Sequence, residues 1–257
     1  MEIKMALRIR DRILLGLAVG GEILDAIESG SRAYPTEKLY TFTPPGYSKR
    51  KYRHLVGRLA REDLIKRVVI NGGVHFRIGD AGRNRLTSLR PALKLKNKPW
   101  DGFWRLVVFD VPERDRRKRD LLRRKLKLMG FGALMYSTYI SPYDQEESLV
   151  EFFKLNKIPD VLLLEAKQKN LGEPKKLAEK AWNLSGIAKR YLAVAEQLTT
   201  RFGIGSVQKR EDFLKKVYGE YLKVLTADPF LPRDLLPDSW PAEKVRKIVL
   251  AAGVVKE

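Results

Sequence analysis

The chain has 257 residues, with 51 Lys and Arg against 31 Asp and Glu, so its formal net charge is +20. This excess of positive charge repels itself unless a polyanion is near, which makes nucleic acid the first expected partner and an anionic membrane surface the second. No apolar run approaches the roughly 20 residues that span a bilayer, and the absence of cysteine excludes disulfides and cysteine-based zinc sites or nucleophiles. We expect a cytoplasmic protein of two or three domains, with no membrane association.

The positive charge is concentrated in the first third of the chain. Residues 1–98 carry 21 basic and 9 acidic side chains, residues 99–176 carry 16 and 12, and residues 177–257 carry 14 and 10. A charge that served solubility alone would be spread more evenly along the sequence. The distribution therefore predicts a phosphate-binding module in the first third.

The first elements of the chain are helical. Apolar residues recur at helical spacing from about Ile9 to Ser29, where Gly30 closes a first predicted helix. Three prolines between residues 34 and 46 predict a loop or a very short helix. Ser48 can then cap a second helix that runs to about Glu62.

The second predicted helix has two contrasting sides. Apolar residues on one side predict the core face, and they are Tyr52, Leu55, Val56 and Leu59. The other side is almost entirely cationic or small, and it includes Gly57, which costs about 1 kcal/mol relative to alanine inside a helix. This side is either an ordinary solvated face of a basic protein or a DNA-contacting face. The DNA contacts predicted on it are Ser48, Lys49, Arg50, Lys51, Arg53, His54, Arg58 and Arg61.

Two β-rich runs follow this helix, joined by Asn71, Gly72 and Gly73. An Asn-Gly or Gly-Gly step between strands is a strong hairpin signal, because the turn needs positive φ. Helix, basic helix and hairpin in this order predict a winged helix-turn-helix in residues 1–93, with the basic helix in the major groove and the hairpin along the backbone. The contacts predicted for the hairpin are Arg67, Asn71, His75 and Arg77.

A different module follows a lysine-rich linker at residues 94–100. Strand-like and helix-like runs alternate through residues 101–176 in the order β-α-β-α-β, which suggests a ferredoxin-like domain with helices on one face of a small sheet. Nine residues between 114 and 127 are basic. They form either a solvated helix face or a secondary contact for DNA or for a second copy of the chain.

Residues 177–257 are mainly helical by pattern. The run from Glu179 reads as one helix, and prolines at 229, 232, 237 and 241 predict a wrapped loop before a final helix. The predicted fold is therefore an α+β multidomain protein, with an N-terminal winged helix-turn-helix, a central ferredoxin-like domain and a helical C-terminal domain.

Several stretches resemble the PaaX-type repressors of phenylacetate degradation. They are WDGFWRLVVFDVPERDRRKRDLLRRKL with GFGALMYSTYISP, then AWNLSGIAKRYLAVAEQL, then YLKVLTADPFLPRDLLPDSWP, and their order and spacing agree across nearly the whole chain. The resemblance implies a homodimeric repressor that binds double-stranded DNA and dimerises through its ferredoxin-like domain. It also implies a small-molecule inducer, because acyl-CoA thioesters act as inducers in the phenylacetate examples.

The central module also resembles the ferredoxin-fold CRISPR-associated nuclease and spacer-integration subunit, in which an aspartate ends the first strand. Asp110 stands at that place, so a metal-dependent nuclease, with one Mg²⁺ held by Asp110 of two protomers, or an integration subunit is the alternative function. Asp110 can equally be a hydrogen-bond acceptor at a strand end, and we expect no cofactor and no catalysis. A basic protein that binds structured RNA by its shape is a third possibility.

Overall fold

The structure is a computed structural model that describes residues 10–11, 13–15, 34–35, 48–70, 73–89, 92, 99–199 and 207–252. The chain divides into two compact units, the first within residues 1–88, 187–228 and 241–257, and the second within residues 89–186 and 229–240. This grouping differs from the three consecutive domains predicted from sequence, which remain a prediction. No helix in the described ranges is long and apolar enough to cross a bilayer.

The first unit contains a basic helix followed by a hairpin and a second helix. Its sheet has three antiparallel strands in the order β1-β3-β2. Residues 10–11 and 13–15 are also helical. The elements are β1 (Tyr34–Pro35), α1 (Lys49–Arg61), β2 (Ile65–Ile70), β3 (Gly73–Ile78) and α2 (Asp80–Leu89).

The hairpin of the first unit forms where the sequence predicts it. Ile65 pairs with Ile78 and Ile70 with Gly73, so residues 71 and 72 connect the strands, which is the commonest hairpin loop length. The loop prediction for residues 34–46 is wrong at its start, because Tyr34–Pro35 forms β1 and pairs with Phe76 and His75 of β3. A proline fits there because β1 lies at the sheet edge, where a backbone N–H is dispensable.

Three longer helices complete this part of the fold: α6 (Leu184–Thr199), which belongs to the first unit from residue 187 on, α7 (Val207–Ala227) and α8 (Ala242–Ala251). Tyr191 and Tyr221 are buried among their apolar residues, and the Tyr191 hydroxyl donates a hydrogen bond of 2.7 Å to Asp228. Burial raises the pKa of the Tyr221 hydroxyl. The helix predicted from Glu179 is divided in two, because Asn183 adopts a left-handed φ of 53°.

The second unit contains a four-stranded antiparallel sheet in the order β5-β6-β4-β7. This is the ferredoxin-like order of two split β-α-β units. The sequence predicted a single strand between the two helices of this module, but residues 132–141 form two strands joined at Tyr136 and Ser137. The prediction missed the turn because no glycine or proline marks it. The elements are β4 (Phe103–Phe109), α3 (Arg116–Leu128), β5 (Gly132–Met135), β6 (Thr138–Ser141), α4 (Glu146–Asn156), β7 (Val161–Lys167) and α5 (Pro174–Trp182).

Both faces of this sheet are covered, whereas the sequence predicted helices on one face. Side chains alternate along β4, so Val107 packs with α3 and α4, and Trp104 packs on the opposite face. The cover of that second face comes from α5 and from the segment 229–240, which contributes Leu231 and Leu235. Glycine is required at position 132, because a Cβ there would lie 2.6 Å from ring atoms of Trp182.

Candidate nucleic-acid interface

The helix α1 begins at a side-chain cap and packs through one apolar side. The Ser48 hydroxyl accepts a hydrogen bond of 3.3 Å from the backbone N–H of Lys51. The four predicted core residues Tyr52, Leu55, Val56 and Leu59 are all buried. The predicted core face is therefore confirmed, and it fixes which side of the helix faces outward.

The outward side of α1 carries cations that few carboxylates neutralise. The first turn contains no acidic residue, and Arg58 lies 3.9 Å from the exposed carboxylate of Glu62. Within the described part of the chain, no carboxylate partners the other charged side chains of this set. The exposed residues of the outward side are Ser48, Arg50, Lys51, Arg53, His54, Gly57, Arg58 and Arg61. The side chain of Lys49 lies outside the described part.

Gly57 leaves a notch in the middle of this cationic side. A Cβ built at this position meets no atom within 4 Å, so nothing in the described structure requires glycine. A glycine inside a helix lowers stability by about 1 kcal/mol relative to alanine. The notch instead lets another molecule, such as a sugar-phosphate backbone, come close to the helix backbone.

A close contact fixes the hairpin against the end of α1. Asp63 has a left-handed φ of 53°, and the N–H of Gly79 donates a hydrogen bond of 3.1 Å to the carbonyl of Leu64. A Cβ would lie 2.0 Å from the Asp63 oxygen if placed at Gly79, and 2.1 Å from the Leu64 oxygen if placed at Gly82. Sequence reasoning missed this joint, although the two glycines just after the second strand were its visible signal.

The predicted contacts on the hairpin do not converge. Arg67 is exposed and pairs across the hairpin with Phe76, whereas Arg77 is half-buried and pairs with Lys66. Because side chains alternate along a strand, Arg67 and Arg77 lie on opposite faces of the hairpin. The side chain of His75 and the whole of Asn71 lie outside the described part.

Lys66 is held by carboxylates at the base of the hairpin. It forms ion pairs with Asp63 at 3.6 Å and with Asp80, which also pairs with Arg83. The hydrogen bonds from Lys66 and Arg83 lower the pKa of the Asp80 carboxyl. These charges are internally balanced, so they add little to the attraction of a polyanion.

Asp110, the residue of the nuclease alternative, is exposed just after β4. Its backbone N–H donates a hydrogen bond of 3.0 Å to the carbonyl of Asp160. Across the described ranges, no group of three or more His, Cys, Asp or Glu residues could hold a metal ion. A magnesium site would thus depend on this one carboxylate from each of two chains.

A small cavity lies in the second unit beside Arg105, whose guanidinium pairs with Asp101 at 2.7 Å and with Glu165 at 3.0 Å. Its volume is about 50 Å³, and Gln145 and Leu149 also line it. Ligand pockets usually measure about 300–1,000 Å³. This cavity is too small for an acyl-CoA.

Comparison with known families matches two consecutive parts of the chain. Residues 97–178 match the PaaX protein central Cas2-like domain, and residues 182–253 match the PaaX-like protein C-terminal domain. A search of curated proteins found no match. Among solved structures, the uncharacterized protein Rv0674 from Mycobacterium tuberculosis is similar with a TM-score of 0.56 and 20% identity, over 95% of this chain and 94% of that chain. At this identity the likeness concerns the fold alone.

Proposed function

Since the chain belongs to the PaaX family and contains its Cas2-like central domain, we propose that it is a DNA-binding transcriptional regulator. The observation that carries the proposal is the exposed cationic side of α1, which is fixed to the body by four buried apolar residues. In this proposal α1 is the recognition helix of a winged helix-turn-helix, and β2 and β3 form the wing.

The chemistry of this side suits the major groove of duplex DNA. Arginine can donate two parallel hydrogen bonds to guanine, which contributes about 1–3 kcal/mol of discrimination against other bases. Arg50 and Arg53 occupy the first turns of α1, exposed and without a carboxylate partner among the described residues. They contact base edges together with His54 and Arg58 in this proposal, while Lys49, Lys51, Arg61 and the wing bind phosphates.

The regulator acts as a homodimer in this proposal. Two recognition helices about 34 Å apart read an inverted repeat on one side of the DNA. An apolar surface for the second copy is present on β7, an edge strand on which Leu162 is 60% and Leu164 48% exposed. We further propose a cytoplasmic repressor that an acyl-CoA-like inducer releases, as the family resemblance implies.

The direct test is DNA binding by an Arg50→Ala, Arg53→Ala variant. Footprinting of the DNA that flanks the gene identifies the operator, and a gel-shift titration then compares the variant with the parent. We expect the affinity to fall at least about thirtyfold, since two base contacts of roughly 1–3 kcal/mol each are lost. A Lys154→Ala, Lys169→Ala variant removes the same charge elsewhere and should bind normally. Equal binding by the arginine variant would show that the assigned side of α1 is wrong.

A cleavage assay separates the regulator from the enzyme. Labelled DNA and RNA are incubated with the protein and magnesium, beside an Asp110→Asn control. The regulator proposal expects no cleavage by either protein. Metal-dependent cleavage that the Asp110→Asn variant has lost would replace the regulator with a nuclease, and preferential binding to structured RNA would replace it with an RNA-binding protein.

A further inference from the structure

A second basic surface lies on α3 in the second unit, and the proposed DNA-reading side of α1 makes no use of it. Nine residues between 114 and 127 are Lys or Arg. Leu122 and Leu126 of this helix are fully buried in the core beneath the sheet, so the orientation of α3 is fixed and its opposite side faces outward.

Part of the charge on this helix is neutralised within the unit. Arg119 forms an ion pair of 2.6 Å with Glu113, Lys118 lies 3.5 Å from Asp115, and Arg116 lies 3.9 Å from Asp120. These pairs leave three exposed cations without a carboxylate partner among the described residues. This basic strip consists of Arg117, Arg124 and Lys127.

The three cations of the basic strip lie along one side of α3, with Asp120 between Arg117 and Arg124 in the sequence. Arg117 and Arg124 are two turns apart, about 10 Å along the helix axis at 1.5 Å per residue. Lys127 lies one further turn along, three residues after Arg124, on the neighbouring position of the same side. The spacing places three cations in a row along the outside of the second unit.

An exposed aromatic ring lies against another cation of the same helix. Tyr136, in the turn between β5 and β6, is 73% exposed. The guanidinium carbon of Arg123 lies 4.0 Å from the centre of its ring, and the same guanidinium donates a hydrogen bond of 3.1 Å to the Tyr136 carbonyl. One face of the ring is therefore covered by a cation from α3, and the other is open to solvent.

An open ring face held by Arg123, on the same helix as the basic strip, suits a strand with unpaired bases. Proteins that bind single strands combine positive charge along the backbone with aromatic rings on which bases stack. A duplex satisfies only half of this arrangement, because its bases are already stacked on one another. We propose that the basic strip and Tyr136 form a second nucleic-acid site that binds a single strand, with phosphates on the strip and one base on the open face of Tyr136.

This proposal is independent of the regulator function, since its residues belong to the other unit. Its test uses the full chain with Arg50→Ala and Arg53→Ala in place, so that two of the base contacts proposed for α1 are absent. Fluorescence anisotropy measures the binding of labelled single-stranded DNA and single-stranded RNA of about 12 nucleotides, within the usual site size, with unlabelled duplex as competitor. We expect binding of single strands that duplex DNA displaces poorly, and the two labelled strands tell which nucleic acid is preferred.

Two sets of substitutions locate the site. In that background, Tyr136→Ala should lower the affinity about tenfold, the usual effect of losing one stacked base, whereas Tyr136→Phe should bind like the parent. Replacing the three cations of the basic strip by alanine should reduce the slope of log K against log salt by about 2, at roughly 0.7 per phosphate contact on a single strand.

A matched control keeps the charge loss equal. Lys154, Lys169 and Lys180 are exposed cations of the same unit, and their replacement by alanine should leave the salt slope unchanged. The proposal fails if the two triple variants behave alike, if Tyr136→Ala binds like the parent, or if duplex competes as well as single strand.

Ultraviolet cross-linking of the unsubstituted protein to the same oligonucleotide needs no variant. It should label the peptide that contains Tyr136, and a cross-link confined to other peptides would also overturn the proposal.

Discussion

The helices α1 and α3 are each 13 residues long, basic on the outside and apolar on the inside, but their charges are arranged differently. Among the described residues, one carboxylate pairs with an outward cation of α1, and it belongs to Glu62, just after the helix. Three carboxylates pair with cations of α3: Glu113 and Asp115 just before the helix, and Asp120 within it. The number of cations alone therefore does not predict how strongly a helix attracts duplex DNA, because the carboxylates among them neutralise part of the charge and leave fewer exposed, unpaired cations on α3 than on α1 in the described part of the chain.

The two helices also differ in the features that determine their stability. α1 has a solvent-facing glycine at its centre, whereas every position of α3 carries a side chain. α1 begins at a hydroxyl that accepts a backbone hydrogen bond, whereas Asp115 at the start of α3 makes no such bond. The cap at Ser48 stabilises the N-terminus of α1, whereas Gly57 lowers stability at its centre. We interpret this glycine as an adaptation for contact with another molecule.

The largest expected effect comes from reversing charges on each helix in turn. Arg50→Glu with Arg53→Glu should lower the affinity for duplex operator DNA by more than about a hundredfold, because base contacts are lost and repulsion is added. Arg117→Glu with Arg124→Glu should change that affinity only a few-fold. Anisotropy titrations at one fixed salt concentration compare the two. Equal losses of affinity would mean that the carboxylates paired with α3 do not weaken its attraction for duplex DNA relative to α1.

The second largest expected effect is a loss of stability on removal of the side-chain cap at the N-terminus of α1. Ser48→Ala deletes the oxygen that receives the Lys51 N–H, and such a loss lowers the free energy of unfolding by about 1 kcal/mol. Asp115→Ala should lower it less, since no side-chain cap is lost there. Urea denaturation measures both values. A larger loss at Asp115 would contradict the assigned difference between the two helix starts.

Filling the notch should separate stability from binding. Gly57→Ala should raise the free energy of unfolding by up to about 1 kcal/mol, because its Cβ meets no atom. The same change should weaken operator binding if the proposed function is right, since the added methyl group would then lie where the DNA backbone approaches. Thermal melting and DNA titration are performed on the same sample. If the variant is more stable and binds equally well, the notch has no role in binding.

The smallest expected effect is on stability at acid pH, and it concerns the ion pair between Glu113 and Arg119 of α3. The hydrogen bond from Arg119 holds the pKa of the Glu113 carboxyl below its ordinary value. A carboxyl with a lowered pKa stabilises the fold above its unfolded pKa, and this contribution is lost as the pH falls through the folded pKa. The stability difference between the parent and Glu113→Gln should hence be constant near pH 7 and shrink below about pH 4. A difference that grew on acidification would contradict the ion pair.

The local parts of the fold could be predicted from the sequence. The cap at Ser48, the buried side of α1 and the hairpin from Ile65 to Ile78 all follow from patterns within a few residues. Such patterns can be recognised because side chains return to the same side every 3.6 residues in a helix and every 2 residues in a strand. The outward side of α1, the core of the candidate site, was predictable for the same reason.

The parts that depend on distant residues could not be predicted. The pairing of Tyr34 with Phe76 has no local signature. Nothing near Tyr136 in the sequence shows that Arg123 covers its ring. The joint at Gly79 and Gly82 depends on a carbonyl approaching from the end of α1. Each of these contacts joins separate elements, and periodicity within one element carries no information about them.

The way in which Trp104 is buried has a consequence for synthesis of the chain. Part of its cover, Leu231 and Leu235, belongs to a segment near the C-terminus. On the ribosome the sheet is complete long before these leucines emerge, so one of its faces stays partly open to solvent. A chain that ended before residue 229 would keep a tryptophan-centred apolar patch exposed, and such surfaces promote aggregation and degradation.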